Sequence, residues 1–527
     1  MRSFRHWTPR YIWDSQNILN VFLLILVLII YWVILSTGDI QEDAFITFRT
    51  AFNLSDHGEL SFNLGESHSG ATSFLYPYFV AFVRILTGES AIISILIINS
   101  IALIASSFLF SIILIESLNI SKKMIPIFWT IIAISPVTLL MAVRGMEAVY
   151  VVTLFVIGIW KIHKNSEDLN FLLPVIFLPL IRPDAIAFSL ILAGFAFSKS
   201  TAIGLRYFIA AISGLILLLM LNYFIFGNIF PATMQAKAYA ILDSRSLLKV
   251  FHDEVLLYFQ SPLFSPVNTK FFSFLYPLTS LVALIGSVIL LNRFWIYRRN
   301  YFFLILTIIA GIWLVPGAFG LGGIIYPWYL WPSQFFYQGL FAALLLYGSL
   351  IIFKDNFIRY GFPIILIILL PFILIQLINS INWGTQEMGY RASVGKYLKT
   401  QAKAGDVLFL EPAGYIPYFS EMKTIDEVGL ASSVILSYKK ISKDRWWIDF
   451  VKSEKPTFMV QRDHILDYKT YQGYEFSEEE KKWFNQNYEI IKKFEYNPEK
   501  WSQYSVIKKI LKFGSHSDYY VLKIRQN

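Results

Sequence analysis

The chain has no cysteine among its 527 residues and few charges, with Asp, Glu, Lys and Arg together at 15%. The first absence excludes disulfides, thiolate metal sites and cysteine nucleophiles. The second excludes an ordinary soluble enzyme of two or three domains, which would carry about 25% charged residues. Disorder is excluded as well, because 56% of the residues are hydrophobic and 17% aromatic. There is no P-loop, no Rossmann glycine fingerprint and no Asp-x-Asp pair of the kind that holds a metal–nucleotide-sugar. The seven histidines lack metal-ligand spacing.

What the sequence does have is long apolar blocks. A spanning helix needs about 20 apolar residues, and about eleven segments, several of them short, read as spans: 17–36, 90–115, 124–142, 148–162, 170–181, 185–198, 203–225, 272–292, 301–319, 334–353 and 359–380. The pair 170–198 also reads as one hairpin kinked around Pro183. Charge divides the chain in two: 42 of the 146 residues from 382 to 527 are charged, against 39 of the first 381. The expectation is a polytopic α-helical membrane domain over 1–381, followed by a water-soluble domain over 382–527.

The net charge of +9 does not require a nucleic acid, because the basic residues flank the apolar runs. With Arg2, Arg5 and Arg10 inside, the alternate loops carrying Lys122 and Lys123, Lys161 and Lys164, Lys199 and Arg206, Arg293, Arg298 and Arg299, and Lys354 all fall on the cytoplasmic side. An odd number of spans then puts 382–527 outside. The first apolar run is too long for a signal-peptide core and lacks a small-x-small cleavage site, so it reads as an uncleaved helix. The stretch 74–86 contains Pro77 and Arg84 and reads as a helix lying along the outer interface.

This threading collects polar residues on the outer face. The first outer loop, about 37–89, holds Asp39, Glu42, Asp43, Asp56, Glu59, Glu66 and Glu89 against Arg49 and Arg84. Other spans end in Arg144-Gly145-Met146-Glu147, in Arg182-Pro183-Asp184, in the run from Gly227 through Pro231 to Lys237, and at Tyr326-Pro327-Trp328-Tyr329. Ionisable groups near membrane depth are costly and mark candidate sites. Each also has a structural reading: Arg144 with Glu147 as a pair, Asp184 at a helix break, and Trp328 and Tyr329 in an interfacial belt. Taken together, acids in one loop and cations in others suit chemistry between an acceptor and an anion. Residues 317–323, rich in glycine, read as an outer loop. His57 and His68 share the acidic loop with Asp43, which leaves a divalent metal open; no cofactor is otherwise indicated.

The first loop runs Glu42-Asp43-Ala44-Phe45-Ile46-Thr47-Phe48-Arg49, then Asn53-Leu54, Gly58-Glu59-Leu60-Ser61-Phe62-Asn63-Leu64-Gly65-Glu66 and Gly70-Ala71-Thr72-Ser73. This resembles the opening of the GT-C membrane glycosyltransferases related to the mycobacterial terminal β-arabinofuranosyltransferase. The likeness extends through Gly145-Met146-Glu147, Arg182-Pro183-Asp184 and Lys237 to Ala413-Gly414-Tyr415-Ile416-Pro417 and Asp426. Glu42 stands where many relatives have Asp, and Ala148 follows Glu147 where relatives often have Thr-Pro.

The resemblance implies a bacterial plasma-membrane enzyme that uses a polyprenyl-phosphate sugar on the outer face. It would invert the anomeric carbon in transfer to an envelope glycan, glycolipid or protein. Asp43 would be the general base, with Glu42 the nearest competitor; neighbours on a helix diverge by about 100°, so the two cannot serve one site. Lys237, Arg144 and Arg182 would hold the donor phosphate, and Arg49, Glu147, Asp184, Trp328 and Tyr329 would contact substrates. Two other readings remain at this stage, a transporter or flippase of lipid-linked sugars and a non-catalytic envelope-assembly subunit. The transporter reading expects repeated halves or broken mid-membrane helices, which the sequence does not display.

The soluble part predicts a helix from about 390 to 403, a strand over 407–410 and a turn at 414–417, hence an α/β layer. Glu478, Glu479 and Glu480 read as a solvated helix face. Trp446, Trp447, Trp483 and Trp501 suit either carbohydrate contacts or core.

Overall fold

A computed structural model describes residues 15–164, 172–231, 233, 281, 285–289, 291, 292, 295, 299–321, 326–470, 472–497 and 517–525. Helix α1 (Ser15–Leu35) shows how composition becomes placement. Leu23, Val27, Tyr31 and Ile34 recur at helical spacing and are buried, while Phe22, Ile25, Ile29 and Trp32 are exposed. An apolar helix with an inward stripe and an equally apolar outward face is a lipid-facing span.

The following helices are α2 (Glu42–His57), α3 (Leu75–Thr87), α4 (Ala91–Leu118), α5 (Ile125–Ala133), α6 (Pro136–Val143), α7 (Ala148–His163), α8 (Leu173–Ile181), α9 (Ile186–Phe197) and α10 (Thr201–Phe226). After them come α11 (Arg299–Leu321), α12 (Pro327–Phe353), α13 (Phe362–Gln386) and α14 (Ala392–Gln401). Among the described residues five helical runs are long and apolar enough to cross a membrane, or six if the bent α5–α6 pair counts as one span. The bend of 60° falls just before Pro136, whose missing N–H ends the preceding ladder. The expected count of eleven is therefore not reproduced among the described residues. The stretches at 148–162 and 185–198 form helices shorter than a span needs, α8 is shorter still, 301–319 lies within the 23-residue α11, and most of 272–292 lies outside the described residues. The structure does describe a multi-pass helical protein.

Two local outcomes differ from the sequence reading. Helix α11 continues through Gly317 to Leu321, where a loop was expected. The boundary drawn at 381/382 falls inside an unbroken helical run, because α13 passes through a π-helical turn, Glu387–Arg391, into α14. Helix α3 leads through Gly88–Ser90 into α4. Their combined 44 residues, about 66 Å, would be twice a bilayer's thickness, so α3 lies outside the span. Its exposed Phe82, Ile85 and Leu86 suit an interface.

The soluble part is an α/β unit. Strands β1 (Val407–Leu410), β2 (Lys423–Asp426), β3 (Phe458–Gln461), β4 (Tyr488–Phe494) and β5 (Tyr519–Ile524) form one sheet in the order β2-β1-β3-β5-β4. β1, β2 and β3 run parallel and the β5–β4 edge is antiparallel. Alternation divides the side chains between two cores: Leu408, Leu410, Phe458, Val460 and Val521 pack with Leu398 of α14, while Phe409, Met459, Tyr520 and Leu522 pack on the opposite face with Trp446, Trp447 and Phe484. Trp446 and Trp447 are thus core residues. Glu478 and Glu479 are exposed, but Glu480 is buried as the third residue of a capping box with Ser477, so that triplet is not wholly a solvated face.

Candidate functional site

The site is organised by the first turn of α2. Its N-cap, Gln41, donates its backbone N–H to the Arg144 carbonyl at 3.0 Å and accepts the Arg144 guanidinium at 2.7 Å. Arg144 also lies 3.0 Å from the fully buried Asp39 carboxylate. Burial pushes Asp39 up to about 6, and Arg144 opposes the shift. Arg144 therefore pins the segment entering α2.

From there the two adjacent acids part. Glu42 is buried and faces the soluble domain: one oxygen accepts the N–H groups of Gly414 at 2.6 Å and Tyr415 at 3.1 Å, and the other sits 2.9 Å from Arg391. Burial pushes the Glu42 carboxyl up to about 7, with Arg391 pulling it down and Glu387 adding to the rise. A Cβ on Gly414 would lie 2.1 Å from the Glu42 carbonyl oxygen, so only glycine allows this approach.

Asp43, one position on, is partly buried and acts on a different set of groups. It raises the carboxyl of Glu147, after burial, the Arg182 opposition and Asp184. It also raises the Tyr326 phenol, again after burial, with Glu411 contributing. The ~100° between neighbours on a helix is what separates the two acids.

Beyond Asp43, Arg182 occupies an extended residue before Pro183, where the α8 ladder cannot continue. Its side chain is 1% exposed and donates to both oxygens of Asp184, at 3.1 and 2.8 Å, and to the Trp328 carbonyl at 3.2 Å. Glu147 lies 3.7 Å away, and the guanidinium sits 4.8 Å from the Tyr329 ring centroid. Tyr326 stacks on Trp328 with centroids 4.8 Å apart and planes 12° off parallel. This builds a continuous patch: Asp43, Glu147, Asp184, Arg182 and an aromatic wall of Tyr326, Trp328 and Tyr329. It offers a proton acceptor, a fixed cation and flat apolar surfaces.

Arg49 goes elsewhere. Its guanidinium donates to the carbonyls of Phe62, Pro417 and Met422 at 2.9, 2.7 and 2.7 Å, and burial lowers it to about 10. It staples the first loop to the soluble domain, together with Asn63, which exchanges bonds with the Thr424 backbone. Lys237 lies outside the described residues. His57 is exposed and His68 lies 2.7 Å from the Leu430 carbonyl. Among the described residues no three Asp, Glu or His side chains are grouped to hold a metal ion.

The structure adds groups that no sequence signal marked. Arg391 and Glu387 face Glu42 from the π-helical turn. Glu411, 2.6 Å from Arg462 at the carboxyl ends of β1 and β3, acts on Tyr326 and so borders the Asp43 patch. Arg391 lies 349 residues from Glu42 and Glu411 lies 51 residues from Arg462, beyond the reach of any spacing pattern.

Comparison with known proteins gives fold relatives. An oligosaccharyltransferase from Archaeoglobus fulgidus, solved with a tethered acceptor peptide, superposes over 95% of this chain and 88% of its own, with a TM-score of 0.57 and 10% identity. The structure of AglB from the same organism with an inhibitory peptide and a dolichol-phosphate covers 92% and 81%, with a TM-score of 0.54 and 10% identity. ArnT from Cupriavidus metallidurans covers 86% and 94%, with a TM-score of 0.53 and 10% identity. The fold is thus the one shared by these proteins. A domain-family model described as a domain of unknown function, DUF8728, matches residues 379–518. No curated protein matches the sequence.

Proposed function

We propose that the protein is an inverting glycosyltransferase that moves a sugar from a polyprenyl-phosphate donor to an envelope glycan, glycolipid or protein acceptor on the outer membrane face. The observation that carries this reading is the parting of Glu42 and Asp43. One acid is consumed in the domain junction, while its neighbour acts on Glu147 and on Tyr326 of the aromatic wall. The shared fold supports it, since AglB is solved with a dolichol-phosphate.

In the proposed reaction Asp43 accepts the acceptor hydroxyl's proton as that oxygen bonds to the anomeric carbon. The carbon–oxygen bond to phosphate breaks on the opposite side, and its electron pair leaves with the polyprenyl phosphate. Trp328 and Tyr329 stack on the sugar or on the first prenyl units. Two carboxylates, Glu147 and Asp184, face the Arg182 guanidinium and Asp43 acts on Glu147, so a phosphate leaving group needs further positive charge. Lys237 is the residue we assign to that task. Arg144 and Arg49 serve the first loop's position, and Glu42 ties that loop to the soluble domain.

The test is linkage analysis of envelope glycans in a strain lacking the protein, complemented with wild type or with Asp43→Asn. One sugar should vanish in the null, return with wild type and stay absent with Asp43→Asn expressed at normal levels. Full restoration by Asp43→Asn would remove Asp43 as the base.

A further inference from the structure

The ends of the same helices remote from Asp43 build a second site of opposite charge. Helix α7 begins beside Glu147 and ends at His163, 16 residues and about 24 Å away. Likewise α9 begins beside Asp184 and ends next to Lys199. Where the C-terminal ends of α4, α7 and α9 meet the N-terminal end of α11 lies a cavity of about 600 Å³. Its lining includes Lys122, Lys164, Lys199, His163, Glu116 and Tyr301. The volume is within the range of about 300–1,000 Å³ typical of small-ligand sites.

The charges do not cancel. Glu116 pairs with Lys164 at 2.9 Å and faces His163 at 3.4 Å. Among the described residues Lys122 and Lys199 have no acidic partner, and Lys199 only approaches the Phe195 ring, at 5.7 Å. Burial holds the Lys199 ammonium below the ordinary lysine range. Helix C-terminal dipoles favour a few cations here, yet a partly desolvated lysine left unpaired at a cavity wall calls for an anion. The cavity opens at the ends of lipid-facing helices, and the neighbouring Phe197 and Leu205 are exposed apolar residues that suit acyl chains. An anion with a hydrocarbon tail answers both features.

We infer that this cavity binds the phosphate group of an anionic phospholipid from the leaflet opposite the Asp43 site, with Lys122 and Lys199 as its cationic contacts. The inference does not depend on the proposed transfer reaction. The same chemistry could come from free phosphate, so the test separates the two sources. The full-length protein is placed in phosphatidylcholine nanodiscs, phosphatidylglycerol is titrated in, and retained lipid is counted by native mass spectrometry.

Near a membrane surface each lysine is worth about fivefold in affinity, so Lys122→Gln with Lys199→Gln should weaken retention about 25-fold. The double Arg variant should retain the lipid, which separates lost charge from lost folding. Equal phosphatidylglycerol retention by wild type and the double Gln variant would overturn the assignment. So would protection of Lys199 from amine acetylation by inorganic phosphate as full as that given by phosphatidylglycerol.

Discussion

Glu42→Gln is the most informative single change, because it separates architecture from chemistry at adjacent positions. Glutamine keeps a carbonyl oxygen for the Gly414 and Tyr415 N–H groups but turns an NH₂ toward the Arg391 guanidinium, donor against donor. Breaking a buried pair costs about 3–5 kcal/mol. Here Glu387 still lies 3.2 Å from Arg391 and takes part of the charge, which places the cost near the lower end, about 3 kcal/mol. At about 1 °C per kcal/mol for a chain of 527 residues, the midpoint of thermal unfolding in detergent should fall by roughly 3 °C. Tryptophan fluorescence reads it, and limited proteolysis of the first loop should accelerate in parallel. A double-mutant cycle with Arg391→Met should return a coupling of at least about 1 kcal/mol. Transfer by the folded fraction should persist. A midpoint within a degree of wild type, or no coupling to Arg391, would refute the clamp. Loss of all transfer at unchanged stability would move the base from Asp43 to Glu42.

Asp43→Asn should do the reverse, lowering kcat about 10²–10⁴-fold with an unchanged unfolding midpoint, in an assay with a synthetic polyprenyl-phosphate sugar. Arg182→Lys should cost about 10²-fold in kcat, because a lysine cannot reproduce the bidentate contact with Asp184 while reaching the Trp328 carbonyl. Gly414→Ala should be at least as damaging to the unfolding midpoint as Glu42→Gln, since its Cβ would sit 2.1 Å from the Glu42 carbonyl oxygen. Glu427 is buried where it accepts the Trp447 and Gln461 N–H groups, and burial raises it from 4.5 to about 7. The folded state therefore holds this proton more tightly than the unfolded state. Stability is fully present below pH 4.5 and falls by about 3 kcal/mol as pH rises to 7. Glu427→Gln should flatten that slope in denaturant titrations across the same window, and an unchanged slope would exclude Glu427 as its source.

Much of the architecture was legible from composition and periodicity. Long apolar blocks announce spans because lipid accepts only residues that bury no unsatisfied polarity, and α1 displays this directly. The jump in charge density after 381 announces a soluble layer, and alternation in Val407–Leu410 names a strand with two covered faces. The acidic first loop, Arg182-Pro183-Asp184 and the aromatic run at 326–329 were visible as residues out of place in a membrane. Helical geometry alone required Glu42 and Asp43 to diverge.

Which acid went where could be decided only by the tertiary structure. Glu42 turns to the junction because Arg391, on a helix that runs unbroken out of the membrane domain, meets there the Gly414 and Tyr415 N–H groups that follow β1. Arg144 and Arg49, alike in the sequence as outer cations, are spent on Asp39 and on loop carbonyls, while Arg182 remains beside Asp43's neighbours. The span count is not reproduced among the described residues for a related reason: short apolar helices such as α8 and α9 owe their burial to neighbouring helices, so hydropathy alone cannot say that they cross. Sequence patterns record what each residue tolerates in its own element; pairing between distant elements is set by packing, and the roles of the charged residues follow from that pairing.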